Sequence, residues 1–455
     1  MRRSIGRSVD ITEGGIWKQM LMFFLPIMLG TFFQQLYNTV DAMVVGRFVS
    51  KEALAAVGGS AATLINLLVG FFVGLSSGAT VIISQFFGAR ANENVSRSVH
   101  TAMALSLVGG AALMALGIVF AEPLLEMMNT PCETMADSII YMRIYFAGII
   151  PALIYNVGSG ILRAVGDSRR PLMFLIACCA LNIVLDLLFV IAFDMGVAGA
   201  AIATVLSMLI SAALVTFSLT CAQYSYKLFI RKIRLDMPLL RRVLRIGMPA
   251  GVQSVMYSVS NMLIQTSING FGTDAVAAWT TFGKIDGIFW MILSAFGIAA
   301  TTFVGQNFGA GKIDRVHKSV WAAIIMSTLF AVVMSVVVHF GGGFFYSLFT
   351  DDAAVVTMGL RMMKYITPYY FTYVAIEILS GAMRGAGEAL KPMILTCFGI
   401  CVLRVSWVLV AVPFNPSVEM VALSYPITWV VTSVLFIIYY LRGNWLKRQI
   451  RDRSS

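Results

Sequence analysis

The stretch SGILRAVGDSRRPLMFLIACCALNIVLDLLFV, residues 159–190, decides how the rest of the chain is organised. It begins with a basic, glycine-containing turn and continues as an apolar segment long enough to cross a hydrocarbon core of ~30 Å. Within that segment Asn182 and Asp186 are four residues apart, so a helix places both on one face. A carboxylate is costly at membrane depth and marks a functional site by default. The stretch therefore predicts a membrane helix with a functional acid.

The same stretch recurs 221 residues later as SGAMRGAGEALKPMILTCFGICVLRVSWVLVA, residues 380–411. Serine, glycine, arginine and proline residues fall in register between the two copies. Asn182 and Asp186, however, are replaced in the second copy by Leu403 and Trp407. The chain is thus a duplication in which one half keeps an acid that the other half has lost.

The composition of the chain indicates a membrane protein. It is 59% hydrophobic and only 12% charged, whereas a soluble domain carries about 25% charged residues. The excess of basic residues lies in short loops between apolar segments, so we expect no nucleic-acid partner. The three His residues are far apart, which predicts neither a metal cluster nor a cofactor. The beginning of the chain has no short apolar region with a cleavage site, so no removable signal peptide is predicted.

Twelve apolar segments of about 20 residues indicate an all-α polytopic membrane protein. They begin near residues 17, 54, 98, 138, 172, 197, 244, 275, 320, 358, 393 and 421. If both termini and every connection from an even to an odd helix are cytoplasmic, that side holds 26 of the 33 Lys and Arg residues. Basic residues favour the cytoplasmic side of a membrane. This asymmetry predicts twelve spans with both ends in the cytoplasm.

One long basic connection divides the chain into halves. We predict an N-terminal six-helix lobe over residues 1–221, a cytoplasmic linker over 222–243, a C-terminal six-helix lobe over 244–443 and a basic cytoplasmic tail over 444–455. Because six is even, both halves enter the membrane in the same orientation and form parallel repeats. Two six-helix bundles with a cleft between them are typical of an alternating-access carrier.

The first helix carries a polar stripe. Gln34, Asn38 and Asp41 are spaced at i, i+4 and i+7, which places them on one helical face, with Tyr37 beside them. The repeat position of Asp41 is Ile264. Both membrane carboxylates of the first half are therefore missing at the corresponding positions of the second half, which argues against a packing role for them.

Asp41 and Asp186 are candidates for binding a coupling ion. Two neighbouring carboxylates with Asn182 as a neutral oxygen donor suit a proton, because burial and like charge raise a carboxyl pKa. They suit Na⁺ equally well, since it takes oxygen ligands, and Thr204 would add a hydroxyl oxygen. The alternative is that neighbouring groups cap each acid and that both are structural.

Other polar side chains are candidates to line a substrate cavity: Gln34, Tyr37, Asn38, Asn156, Asn261 and Glu377. Glu377 stands at the repeat position of Asn156, and an acid in a cavity would attract organic cations. An ion pair with a nearby basic group is the alternative. Pro26, inside the first helix, permits a kink that is either static or a moving hinge.

With these residues in view, the sequence resembles the multidrug and toxic compound extrusion (MATE) family, most closely its bacterial drug-efflux members. The resemblance covers residues 12–442 and rests on Pro26 and on six motifs: QQLYNTVDAMVVGR (34–47), SQFFGA (84–89), LRAVGDSRRP (162–171), GVAGAAIAT (196–204), GQNFGAG (305–311) and MRGAGEALKP (383–392).

The resemblance implies twelve helices in two lobes that form a V, and export of cationic, lipophilic drugs and dyes in exchange for H⁺ or Na⁺. It implies that the coupling ion binds at Asp41, Asn182, Asp186 and Thr204. It further implies that the first helix bends at Pro26 on protonation.

We therefore predict a multi-pass antiporter of the bacterial inner membrane, monomeric and not an enzyme, that exports amphipathic cations. A lipid-linked oligosaccharide flippase of the same superfamily is the alternative, and it would favour a basic cavity. Four membrane residues support that alternative: Arg143, Arg361, Lys364 and Arg404. A membrane sensor or enzyme would need an output domain or a complete catalytic motif, and neither is found in the sequence.

Overall fold

The computed structural model describes residues 11–222 and 225–454, with side chains described as far as residue 450. Helices dominate these ranges, and no strand occurs in them. The predicted all-α fold is therefore confirmed. Five basic residues that entered the charge count lie outside the described side chains: Arg2, Arg3, Arg7, Arg451 and Arg453.

The first half of the chain forms six helical segments from nine helices. The helices are α1 (Ile16–Phe48), α2 (Lys51–Gly58), α3 (Ser60–Gly88), α4 (Asn92–Val119), α5 (Ala121–Met127), α6 (Cys132–Ala147), α7 (Ile149–Ala164), α8 (Arg169–Asp186) and α9 (Gly196–Thr220). Helices α2 and α3 make up the second segment, and α6 and α7 make up the fourth with a bend of 50° between them. A π-helical turn, Leu187–Ala192, extends α8.

The second half repeats this order. Its helices are α10 (Met237–Asn269), α11 (Thr273–Gly309), α12 (Ile313–Ser347), α13 (Ala353–Ile366), α14 (Tyr370–Ala386), α15 (Leu390–Thr396), α16 (Leu403–Phe414), α17 (Val418–Arg442) and α18 (Trp445–Ser454). A short 3₁₀ turn joins α13 to α14, and a π-helical turn, Cys397–Val402, joins α15 to α16.

Twelve segments are long enough to be membrane spans. In the described ranges, nine are both long and apolar enough to cross a membrane, and the bent pair α6–α7 makes a tenth. The 33-residue α10 and the broken pair α13–α14 complete the twelve. Each segment begins slightly before its predicted start, as Gly196 does before Val197 and Ile313 before Val320. The helices continue beyond their apolar parts into polar turns, which hydropathy does not detect.

The chain divides into two compact units. One contains residues 21–251, and the other contains residues 12–20 and 252–454. The described part of the basic connection belongs to the first unit, together with α10 as far as Gly251. The predicted domain boundaries at 221, 243 and 443 stay predictions.

The duplication is visible in one contact within each unit. In the first, a Cβ atom on Gly160 would lie 2.5 Å from Thr80 Oγ1. In the second, Thr301 Oγ1 donates a hydrogen bond of 3.0 Å to the carbonyl oxygen of Gly381. Gly160 and Gly381 are repeat positions, and so are Thr80 and Thr301. The fourth segment of each half therefore packs closely on the second through the same glycine and threonine.

Glycines also bring α3 and α10 together inside the first unit. A Cβ atom on Gly74 would lie 2.7 Å from the backbone of Gly251, and one on Gly78 would lie 2.3 Å from the carbonyl oxygen of Val243. Small residues permit this close approach of two helices in a membrane.

Candidate functional site

Two acids are buried in the first unit. Asp41 lies on α1 and is 6% exposed, and Asp186 is the last residue of α8 and is 0% exposed. Their charges lie close enough to interact electrostatically. Asn182, one turn before Asp186 on the same helix, is 1% exposed. The structure thus brings together three of the four residues predicted to bind the coupling ion, from helices far apart in sequence.

These three side chains lack hydrogen-bond partners among the described residues. Both carboxylate oxygens of Asp186, both side-chain polar atoms of Asn182 and Oδ1 of Asp41 are buried without a partner. Buried polar atoms are normally hydrogen-bonded, and an unpartnered buried charge is very costly. A proton or a small cation would remove this cost. These unpartnered oxygen atoms are therefore chemically suited to binding a proton or a small cation.

Thr204 lies on α9, which packs against α8. Its side chain is 5% exposed, and Oγ1 donates a hydrogen bond of 3.0 Å to the carbonyl oxygen of Ala200. Because the hydroxyl proton is used by the backbone, the lone pairs of the oxygen stay free to accept a proton donor or to ligate a cation. No cluster of three or more His, Cys, Asp or Glu residues of the kind that holds a metal occurs among the described residues.

Two tyrosines interact electrostatically with the two acids. Tyr141 on α6 interacts electrostatically with both Asp41 and Asp186, and Tyr37 on α1 interacts with Asp41. The rings of Tyr141 and Tyr145 lie 6.3 Å apart between centroids. Tyr37 was predicted from the sequence as a candidate site residue, whereas Tyr141 and Tyr145 were not. Their i, i+4 spacing in a membrane segment is the signal that would have found them.

The remaining polar residues predicted in the first unit are less buried than the two acids. Gln34 and Asn38 are exposed on α1. Asn156 is half-buried on α7, and its Nδ2 donates a bond of 2.9 Å to the carbonyl oxygen of Ala152. Asn156 therefore has a local structural partner, unlike Asn182.

The second unit holds Glu377 and Asn261. Asn261 is exposed on α10, and Glu377 is half-buried on α14. Oε1 of Glu377 lies so close to α11 that a Cβ atom on Gly297 would clash with it at 2.2 Å. Glu377 has no basic partner within 4 Å in the described part of the chain. The ion pair considered as its structural alternative is therefore not formed.

A third buried acid, Asp286 on α11, is fully partnered. It accepts a hydrogen bond of 2.6 Å from the hydroxyl of Tyr370 and one of 2.5 Å from Trp290 Nε1. Arg404 stacks on the ring of Tyr425 at 3.9 Å and donates to Thr428 at 3.2 Å. The sequence did not predict this aromatic network.

Pro26 is half-buried in α1, and the helix continues through it from Ile16 to Phe48. Whether the proline is a static feature or a moving hinge stays a prediction.

Two of the basic residues that supported the flippase alternative have acidic partners. Arg143 lies 3.6 Å from Glu122, and Arg361 lies 3.8 Å from Glu419. With Arg404 held by Tyr425, three of the four basic residues are engaged by neighbours.

The chain matches a family model, curated proteins and solved structures. The MatE family model matches residues 26–188 and 249–410, that is, both halves. The chain is similar to the probable multidrug resistance protein YoeA of Bacillus subtilis, at 27% identity over 96% of each chain. It is also similar to the probable multidrug resistance protein NorM of Thermotoga maritima, at 26% identity over 96% of this chain and 95% of that protein. An outward-facing multidrug resistance MATE transporter structure superposes with a TM-score of 0.91 at 24% identity, covering 98% of this chain and 100% of that one.

Proposed function

Since this chain belongs to the MatE family, whose model matches both of its halves, we propose that it is a secondary active antiporter. It exports amphipathic organic cations in exchange for H⁺ or Na⁺ and works by alternating access. The curated relatives named above are described as multidrug resistance proteins, which supports drug-like substrates for this chain as well.

One observation carries the proposal of ion coupling. Asp41, Asn182 and Asp186 are buried together in the first unit with polar atoms that no described residue satisfies. A static structural acid would have hydrogen-bond donors around it, as Asp286 has in the second unit. A site that binds and releases a cation in each cycle has to keep its ligand atoms free of permanent partners.

Both candidate ions fit these residues. A proton would be held by one of the two carboxylates, because burial and the negative charge of the other disfavour the ionised form. Na⁺ would take oxygen ligands from Asp41, Asn182, Asp186 and Thr204. In either case, the ion neutralises buried negative charge, and its release restores the cost of burying that charge. This difference biases the conformations that the carrier alternates between.

In the second unit, we propose that Glu377 and the exposed Asn261 contact the cationic substrate, since a carboxylate that forms no ion pair within 4 Å with a described residue would attract a cation. In the first unit, we propose the exposed Gln34 and Asn38 as separate polar contacts for substrate. We propose that the protein acts as a monomer in the bacterial plasma membrane. The distribution of its basic residues supports a cytoplasmic location for both termini. The oligosaccharide flippase is less favoured, because Arg143 and Arg361 are paired with acids.

Transport in proteoliposomes tests the proposal. The purified protein is reconstituted, and uptake of a fluorescent organic cation is followed under an imposed Na⁺ gradient or an imposed pH gradient. We expect one gradient to drive transport in the wild type, and Asp186→Asn to reduce it at least about tenfold, as loss of an essential proton-transfer group typically does. The matched control is Asp351→Asn, which neutralises an exposed acid outside the site.

Each outcome of this experiment supports or refutes one part of the proposal. Transport driven by one gradient and lost only in Asp186→Asn supports the antiporter and identifies its ion. Equal transport by Asp186→Asn and the wild type would refute the assigned coupling residue. No dye transport under either gradient would refute export of organic cations.

A further inference from the structure

A cavity outside the ion site lies between α4 and the connection that joins α9 to α10. Its volume is about 540 Å³. Its lining includes Arg97, His100, Arg231, Lys232, Arg234 and Asp236. All of these residues belong to the first unit. Because α9 ends at Thr220 and α10 begins at Met237, the connection lies where two membrane helices reach the water.

The cavity is held in shape by bonds between α4 and the connection. The backbone N–H of Phe229 donates to His100 Nε2 at 3.0 Å, and that of Asp236 donates to Thr101 Oγ1 at 3.3 Å. Arg97 donates to the Asp236 carboxylate at 2.6 and 2.9 Å. Residues 229–236 of the connection are therefore held on α4 at both ends of that segment.

The lining carries an excess of positive charge. Four basic and two acidic side chains face the cavity. Asp236 is already paired with Arg97, and it also interacts with Arg234. Arg231 and Lys232 are exposed, and no carboxylate of the described residues lies within 4 Å of either. These two cations would gain most from a bound anion.

Apolar side chains stand exposed beside these charges. Phe229 is 43% exposed, Ile230 is 66% exposed and Met237 is 58% exposed. The ammonium groups of Lys227 and Lys232 lie 5.4 and 4.9 Å from the centre of the Phe229 ring. A free anion would use only the basic lining, whereas a lipid would also cover the apolar side chains.

We propose that this cavity binds the phosphate-bearing head group of an anionic phospholipid. Arg231, Lys232 and Arg234 contact the phosphate, and the acyl chains cover Phe229, Ile230 and Met237. Clusters of basic residues next to a membrane helix attract anionic lipids. The bound lipid ties the connection between the two halves to the membrane surface. This inference does not depend on the proposed transport activity.

Native mass spectrometry of the full-length protein in mild detergent tests the inference. The protein is titrated with phosphatidylglycerol, with phosphatidylcholine and with inorganic phosphate. The test variant carries Arg231→Gln, Lys232→Gln and Arg234→Gln. The control variant carries Lys51→Gln, Arg169→Gln and Lys391→Gln, which remove the same charge from exposed basic residues elsewhere.

We expect the wild type and the control variant to bind phosphatidylglycerol more tightly than phosphatidylcholine, and the test variant to lose about tenfold or more of that preference. Ile230→Asn should weaken the binding of phosphatidylglycerol without changing the affinity for inorganic phosphate. Equal affinity for the two lipids, or an unchanged test variant, would overturn the proposal. Phosphate that displaces phosphatidylglycerol at equal concentration would instead identify a site for a free anion, which also overturns it.

Discussion

Tyr370 donates a hydrogen bond of 2.6 Å to Asp286 in the second unit, and Trp290 donates to the other carboxylate oxygen. In the first unit, Asp186 is also buried, at 0% exposure against 8% for Asp286, but no described residue donates to either of its oxygens. Burial alone therefore does not distinguish the two acids. The presence of hydrogen-bond donors distinguishes them. We interpret Asp286 as a structural acid and Asp186 as an acid kept free for an ion.

The first prediction concerns the structural acid. Tyr370→Phe removes one donor from the buried Asp286 carboxylate and should lower stability by about 1.5–3 kcal/mol, the value of a hydrogen bond to a charged group. Thermal unfolding in detergent measures the change. The neighbouring Tyr369→Phe is the control, because Tyr369 is 42% exposed. Equal unfolding midpoints for the two variants would contradict the structural interpretation.

The second prediction concerns Asn182. Asn182→Leu introduces the residue type of the repeat position, which is occupied by Leu403. The change removes two buried polar atoms that have no hydrogen-bond partner among the described residues. Since unsatisfied buried groups cost free energy, the variant should unfold at the same temperature or higher. Gradient-driven efflux should nevertheless fall about tenfold, because the variant loses the amide oxygen proposed to bind the coupling ion, and functional groups of this kind are commonly kept at a cost in stability.

The matched control for Asn182→Leu is Asn307→Leu. Asn307 is also buried, but its Nδ2 donates to the carbonyl oxygen of Phe303 and its Oδ1 accepts from Arg315. Its replacement should therefore lower the unfolding temperature. A destabilised Asn182→Leu with unchanged efflux per folded molecule would reverse our assignment of the two asparagines.

Much of this architecture follows from the sequence, because hydropathy and internal repetition are strong signals in a membrane protein. Asp186 stood out as a charge inside an apolar segment. The hydrogen bonds to the Asp286 carboxylate could not be predicted, since the donor Tyr370 lies 84 residues away in the sequence. The bend between α6 and α7 and the two π-helical turns also escaped prediction, because such irregular turns leave the apolar pattern intact.

The contact between α4 and the connection could not be predicted from the sequence either. His100 belongs to an apolar segment and looked like an isolated histidine. In the structure, it accepts the backbone N–H of Phe229, from a position 129 residues away. Pairings of this kind depend on where the chain returns in space, which neither periodicity nor composition specifies.

The third prediction concerns Pro26. A proline inside a helix removes one backbone hydrogen bond and costs about 3 kcal/mol or more. Pro26→Ala should therefore raise the unfolding temperature, and it should slow transport if α1 has to bend at this position. Pro249→Ala, at the repeat position on α10, is the control. Full transport by Pro26→Ala would exclude a hinge there.

The fourth prediction concerns the packing of α3 on α10. Gly78→Ala places a methyl group 2.3 Å from the carbonyl oxygen of Val243, so the backbones have to move apart. We expect a loss of about 1–3 kcal/mol, which is typical of overpacking. Gly283→Ala on α11 meets no atom within 4 Å and should be neutral or slightly stabilising. Unfolding midpoints of the two variants in one detergent provide the comparison.

The fifth prediction concerns pH and the connection. Hydrogen bonds from Arg97 hold the pKa of the Asp236 carboxyl below its usual value of 3.8. A depressed pKa means that the stabilisation is fully present above pH 3.8 and is lost as the pH falls through the lower value of the folded protein. A spin label at residue 230 should therefore keep constant mobility from neutral pH down to about 4, and become more mobile only in stronger acid.

Asp236→Asn separates this effect from general acid unfolding. The variant removes the charge that Arg97 binds, so the label should be mobile at every pH, including neutral pH. Glu93→Gln is the matched control, because Glu93 lines the same cavity without a hydrogen bond to the connection. A label that stays immobile at neutral pH in Asp236→Asn would show that His100 and Thr101 alone hold the connection on α4, and that the ion pair contributes nothing to its position.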